Sequence, residues 1–429
     1  MRNLHFLKYL KHSIFVFLLC LCAWWVFIND KTPKNTLDFS QQTLVLPEQN
    51  PLSPKSNTLS QAITYFDIPN SQASAHASAI VNVSNVSDKD FMLLYFAGSR
   101  EGARDVGIYQ SFFTFNKNRI DSEIGQWSKP TLLLDAPTLS ALSGKFIKKL
   151  GNPITFVDTQ GRVHLFVVGV SMGGWATSKI YWLLLESPKQ ENKDSKESTN
   201  IYKQNLHTLH YVQELHLSPL LNLSFLVRTP AMLKSDGGFI LPIYHELARK
   251  YPLLLEFSSS LEITSIMRPT RLHSQLQPSF VPRSSHSSIG VYRNHKAYEH
   301  TLYVSECSIS CALPKPSNLK NYDASSVLFN ALDSIFLLHN QAHSPQGNKR
   351  EELWIYTLLQ SSLEDSQVIF EPLLRLDRLL GNEVSYPSVA MNESFVFIAY
   401  THGRTHIKTA LVPKSLLKES LKQDLQFQQ

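Results

Sequence analysis

From about residue 61 to residue 412 the chain repeats one device: a short run of apolar, β-branched and aromatic residues, ended by a turn signal and answered by another such run. "ITFVDTQGRVHLFVVGV" predicts a hairpin turning at Thr159–Gly161, "PAMLKSDGGFILPIY" one across Ser235–Gly238, and "YPSVAMNESFVFIAY" one across Asn392–Ser394. "KIYWLLLES", "HTLYVSE", "SIFLLHN" and "ELWIYTLLQ" add single strands. Helical periodicity is confined to "VPKSLLKESLKQDL", where Leu416, Leu417, Leu421 and Leu425 form one stripe in the tail 413–429. No strand–helix alternation marks a parallel sheet. The body is therefore all-β, and at this length it exceeds one sandwich; four-stranded blades around a propeller axis fit.

Ahead of the body, segment 1–29 places Arg2, Lys8 and Lys11 before an unbroken apolar run, Ile14–Ile28. The run suits a signal-peptide core or a short spanning helix. Trp24, Trp25 and Phe27 occupy the place of a small-residue cleavage site, which favours an uncleaved anchor with the basic end inside the cytoplasm. Either reading exports the rest of the chain to a periplasmic or extracytoplasmic position, membrane-anchored where the helix is retained. Residues 30–60, rich in Pro, Ser, Asn and Gln, suit a flexible stalk. Further polar stretches at 187–205 and 341–352 suggest surface loops.

The formal charge of +6 is too mild and scattered to indicate a nucleic-acid partner. Cys20 and Cys22 lie in the apolar run; Cys307 and Cys311 form one disulfide or remain thiols, and without histidines at ligand spacing they make a poor zinc site. No ligand cluster points to a metal or to an organic cofactor.

The stretch "FAGSREGARDVGIY" (96–109) crowds Arg100, Glu101, Arg104 and Asp105 into one strand connection. With "SAHASAI" (74–80), "GNPITFVDTQGRVHLF" (151–166), "SPLLNLSFLVRTPAMLKSDGGFILPIYHE" (218–246), "QPSFVPRS" (277–284) and "EVSYPSVAMNESFVFIAYTHGRTHIK" (383–408), it resembles the sialidase superfamily, in its branch of BNR-repeat proteins. The ordered set spans most of the chain after the stalk. The Asp-box turn of that superfamily survives only as a trace in "DSEIGQWSKP" (121–130), with Glu123, Gly125 and Trp127.

The resemblance implies a six-bladed propeller with an axial site that removes a terminal sialic acid or related acidic sugar from a glycan. Such a sugar carries a carboxylate on its anomeric carbon. Arginines suit its binding, because a guanidinium pairs with a carboxylate through two parallel hydrogen bonds. A carboxylate nucleophile would be repelled, so these enzymes use tyrosine, assisted by a base and a separate acid. On the family's pattern Tyr386 is the nucleophile, Asp105 the acid/base, and Arg100, Arg283 and Arg404 substrate contacts, with Arg228 and Arg293 in reserve.

Two positions depart from the pattern. His76 stands where the first carboxylate-binding arginine is expected, and Gln277 where the glutamate that activates the tyrosine is expected. Glu246 is the preferred replacement base; His245 and Glu383 are others. Each candidate also has a plain structural role open to it: Asp105 as a turn cap, Tyr386 as a core aromatic, Arg283 and Arg404 as surface residues. The rival functions are a carbohydrate-binding propeller without turnover and a lyase or hydrolase of uronic-acid polymers using His76 or His245 as base.

Overall fold

The computed structural model describes residues 2–28, 30, 32–47, 62–116, 124–186 and 208–427. Glu123, the 187–205 insertion and the stalk beyond residue 47 lie outside the described residues.

Alternating apolar and polar runs joined by tight turns pair with their sequence neighbours, and here they do so six times over. Blade I is built on Ser74–Asn82, Phe91–Gly98 and Gly107–Phe115, with Gly125–Trp127 and Thr131–Leu134 both on its outer edge. Blade II is Lys149–Val157, Val163–Val170, Ser178–Glu186 and Thr208–Glu214. Blade III has a broken inner strand, Phe225–Val227 and Met232–Leu233, followed by Phe239–His245, Tyr251–Phe257 and Ile263–Met267. Blade IV is Gln275–Ser284, Ser287–Asn294, Thr301–Cys307 and Lys315–Lys320; blade V is Val327–Ala331, Ser334–Gln341, Glu352–Leu358 and Phe370–Arg378. Blade VI takes Val384–Met391, Phe395–His402 and His406–Pro413 from the end of the chain, and its outer strand, Thr64–Ile68, from the beginning, with Thr64 opposite Leu411. All pairings are antiparallel, and the three hairpins expected from the turn signals form in the expected places. The molecule is a six-bladed β-propeller.

Each junction between neighbouring blades carries its own apolar cluster. That of blades V and VI also receives Leu416, Leu417 and Leu421 from the C-terminal helix Lys414–Phe427. The junction of blades III and IV is completed by the segment expected as stalk: Leu37, Phe39 and Leu44 are buried among Met232, Ile240, Leu254, Phe280 and Tyr292. Burial of each such side chain is worth about 1.5–3 kcal/mol, enough to hold so short a stretch in place. Backbone bonds fix it as well, from Phe39 N to Ser308 O and from Leu44 N to Ser285 O, both 2.8 Å. Cys307 and Cys311 are joined in a disulfide nearby.

The N-terminal helix Arg2–Ile28 contains one stretch, Tyr9–Ile28, long and apolar enough to cross a membrane, a test that an N-terminal signal sequence passes equally. None of that stretch is buried against the propeller.

Because the inner strands all run the same way, the connections between blades and the loops joining each second strand to its third share one rim. The axial residues lie towards that rim.

Candidate active site

Besides a one-residue bulge at Gly151/Pro153 in blade II, three inner strands break register with two residues set against one: His76/Ala79 in blade I, Leu276/Ser279 in blade IV and Ser385/Ser388 in blade VI. In each break one non-glycine residue sits in the left-handed region, Ala77 (φ 53°), Gln277 (φ 44°) and Tyr386 (φ 54°). Such a conformation costs about 1–3 kcal/mol and persists only where surrounding structure enforces it, as at sites that must aim a side chain. The bulges turn Gln277 and Tyr386 out of strand alternation. The shared Pro-Ser of "QPS" and "YPS" is their mark in the sequence.

Tyr386 is buried, and its phenol oxygen accepts a hydrogen bond from Arg293 Nη1 at 2.8 Å. Arg293 is held from behind by Asp323, Nε to Oδ1 2.7 Å. The guanidinium of Arg228 lies 5.2 Å from the Tyr386 ring centre and that of Arg350 5.8 Å from it. Burial opposes ionisation of the phenol, but Arg293 and Arg350 outweigh it, and the pKa falls below its ordinary value.

Arg228 has an unusual setting. It leaves blade III where the inner strand is interrupted, crosses the axis, and donates to the carbonyls of Ser78 (3.1 Å) and Pro387 (2.8 Å) in the bulges of blades I and VI. It is buried, with no carboxylate partner and with Nε unpartnered among the described residues. Burial pulls its pKa down to about 10. A buried cation without a counter-ion is costly, so this one charges the axis with positive potential.

A second chain of charges borders the first. Glu383 accepts from Arg350 Nη1 (3.1 Å) and from Arg404 Nε (2.6 Å), while Arg404 Nη1 also pairs with Glu101 and Arg350 Nη2 with the carbonyl of Asp323. This links the 99–106 loop of blade I to blades V and VI around the tyrosine.

His76 packs tilted against Tyr386, ring centres 4.2 Å apart, and edge-to-face with Phe96 at 5.5 Å. It is buried with both ring nitrogens unpartnered among the described residues. Burial, reinforced by Arg404, Arg228, Arg350 and Arg293, holds its pKa well below the usual value, so the ring is neutral. Gln277 donates from Nε2 to the Tyr244 hydroxyl at 3.5 Å and also bonds the Tyr386 side. Glu246 sits on the same rim, where its charge adds to burial in raising the Tyr244 pKa.

Asp105 lies exposed in the 99–106 loop, accepting from Ser99 Oγ and Ser99 N, both 2.9 Å. These bonds, with Arg100 as a smaller influence, hold its carboxyl below the usual range. Arg100 is exposed in the same loop. Arg283 is placed elsewhere: six residues beyond Gln277 on a strand rising about 3.3 Å per residue, it lies about 20 Å away towards the opposite rim, paired with Glu306.

Thus the structure gathers His76, Gln277, Tyr386 and Arg404 around the axis, puts Asp105, Arg100 and Glu246 on the loops of that rim, and separates Arg283 from them. The reserve arginines Arg228 and Arg293 take central positions. Arg350 and Asp323 escaped sequence reasoning, because a lone arginine in the polar run "GNKREE" and an aspartate in "NYDASS" carry no local signature. Among the described residues no three His, Cys, Asp or Glu side chains gather as a metal-binding group.

No curated protein matches the chain. Solved structures do: a Hadza microbial sialidase, Hz136 (TM-score 0.52, 12% identity, covering 80% of this chain and 66% of that one), Trypanosoma rangeli sialidase (0.57, 11%, 84% and 61%) and the phage phi92 endosialidase (0.50, 10%, 82% and 69%). The chain spans about two thirds of those proteins' lengths, and at such identities the likeness is one of fold. The sequence of residues 89–406 matches the BNR repeat-like domain model, which takes in blades II to V whole, blade I without its inner strand and the first two strands of blade VI. On that match, and on a propeller shared with sialidases, the chain belongs to the BNR repeat-like domain family.

Proposed function

We propose that the protein is a sialidase-like exo-glycosidase acting on a terminal sialic acid or related acidic sugar, held at the outer side of a membrane by its N-terminal helix. The observation that carries this reading is Tyr386: a buried phenol aimed by a bulge, bonded to Arg293 and flanked by Arg228 and Arg350. The solved sialidases of T. rangeli include complexes with sialic acid and a covalent intermediate with 2,3-difluorosialic acid, which supports the substrate class.

In this reading Arg293 and Arg350 pair with the sugar carboxylate, and Arg404 and Arg100 border the ring. The Tyr386 phenolate attacks the anomeric carbon as the glycosidic C–O bond breaks, and Asp105 gives its proton to the leaving oxygen. Asp105 then takes a proton from water, whose oxygen displaces the tyrosine and frees the sugar. Asp105 must leave Ser99, and bound sugar must exclude water, before the carboxyl holds a proton near neutral pH. Release of 4-methylumbelliferone from its sialic acid conjugate, lost in Asp105→Ala and Tyr386→Phe, is the expected result; an inactive wild type beside an active control enzyme refutes turnover of this substrate.

The second reading is a carbohydrate-binding propeller without turnover. Gln277 favours it, since an amide cannot accept the phenolic proton, and so does the engagement of Asp105 with Ser99. Glycan binding that survives Tyr386→Phe, with no product formed, selects it.

A further inference from the structure

Beyond the axial cluster, the same rim carries a second group of cations. A cleft of about 840 Å³ between blades III and IV is lined by Ala248, Arg249, Arg268, Arg271, His273 and Ser274, and by no carboxylate. Arg268 is steadied by its bond from Nε to the Thr270 carbonyl (3.0 Å) and by the Tyr251 ring, 4.6 Å from its guanidinium. None of the three arginines has a carboxylate partner among the described residues. Such a cleft suits phosphate or carboxylate groups.

The same rim also exposes large apolar side chains. Leu247 directly precedes Ala248 of the cleft lining in the chain, and Leu220, Leu221, Met172 and Phe146 stand exposed on the rim loops of blades II and III, Leu220 and Leu221 above 70%. Large apolar side chains beside arginines, on one face, are the composition of a surface that rests in the headgroup layer of a bilayer.

The course of the N-terminal segment puts this quadrant next to the membrane. Asp30 lies within electrostatic reach of His216, which follows the outer strand of blade II on this rim. Asn35 then pairs with Ser265 on the outer strand of blade III, and Leu44 ends at Lys234, at the opposite rim. The seven residue steps from Ile28 to Asn35 reach at most about 25 Å, so the apolar helix ends close to the blade II–III quadrant.

We propose that the sector of this rim from blade II to blade IV is a bilayer-docking surface, its exposed leucines entering the headgroup layer and its arginine cleft holding the anionic headgroups of lipids. The proposal rests on the reading of the helix as a retained anchor, and it is independent of turnover. Anionic lipids attract basic residues near the surface and would orient the propeller with its axial site towards the membrane plane.

The test uses the full chain in lipid nanodiscs, with Cys20→Ala and Cys22→Ala so that a spin label attaches at one introduced cysteine. The label at Leu221→Cys is expected to meet oxygen more often than a water-soluble nickel chelate, and more so in discs containing phosphatidylglycerol than in phosphatidylcholine alone. The label at Leu313→Cys, on an exposed loop at the opposite rim, is expected to meet the chelate in both. Arg249→Glu with Arg271→Glu should abolish the effect of phosphatidylglycerol at Leu221. A Leu221 label in water in both lipids overturns the docking surface, and a buried label indifferent to lipid charge and to the arginine changes overturns the headgroup cleft. A label that stays in water but is immobilised by soluble polysialic acid makes the cleft a glycan subsite and likewise refutes the proposal. No outcome depends on turnover, so a failure here is distinct from failure of the glycosidase reading.

Discussion

Arg293 donates to the hydroxyl of Tyr386 at 2.8 Å, and among the described residues no carboxylate bonds that phenol. The charges facing it are Arg228, Arg293 and Arg350, with neutral His76 on the ring, Asp323 and Glu383 behind the arginines, and Glu246 and Glu101 farther out. In the sialidase pattern a glutamate draws the proton from the tyrosine; here cations lower the cost of losing it.

One tyrosine should therefore ionise below pH 10. A phenolate absorbance titration of the wild type minus that of Tyr386→Phe is expected to show a single group titrating early; a difference curve centred above pH 10 refutes it. A phenol whose pKa is depressed on folding contributes stability above its unfolded pKa and loses that contribution as pH falls through the folded value. Arg293→Gln should move the early titration upwards.

Gln277→Glu puts a carboxylate between the two phenols. If the glycosidase reading holds, a base supplied there is expected to raise kcat by about 10²-fold or more, while the added negative charge raises the Tyr386 pKa. An unchanged rate with a raised phenol pKa would show that cation activation alone suffices.

Asp158 offers a separate, structural test. Its carboxylate accepts from Arg162 Nε (2.5 Å) and lies 2.9 Å from His164 Nε2, and His164 Nδ1 in turn accepts from the Trp182 indole at 3.1 Å. Burial works against the charge, but His164 and Arg162 bring the pKa down to about 2. The sign follows: the stabilisation is complete above the unfolded carboxylate pKa near 4 and disappears as pH drops through about 2. Asp158→Asn should lower Tm at pH 7 and flatten the dependence of Tm on pH between about 4 and 2, read by circular dichroism.

Phe39→Ala should destabilise the propeller by about 3–5 kcal/mol in denaturant melts, because it empties a closed junction between blades III and IV. Truncation of residues 1–47 should do at least as much. A loss below about 1 kcal/mol would mean that the segment rests on the propeller without supporting it.

The strands were legible because each is a compact apolar run bounded by turn residues, and the hairpins at Thr159–Gly161 and Asn392–Ser394 form where those residues fall. The buried role of 37–44 was hidden, because Leu37, Phe39 and Leu44 are three apolar residues among polar ones and their partners lie some 190 residues or more further along the chain. Tyr386 and Gln277 were found through the family pattern; their aim depends on positive φ, which the side chain does not announce. Arg350 and Arg228 reach the axis from other blades, and no local period records that. Arg283 was nominated from the family-like segment "QPSFVPRS", and the extended strand that it shares with Gln277 carries it towards the opposite rim.

The pairing of Thr64–Ile68 with His406–Pro413 sets a rule for assembly. The first strand of the body can find its partner only after nearly the whole polypeptide has been made, so the ring cannot be closed while synthesis is in progress. Loss of the last blade strands by premature termination would leave two sheet edges open at once, one at each end of an unclosed arc. A form threaded unfolded through a translocation channel would complete its architecture beyond it, with the earliest strand waiting for the latest.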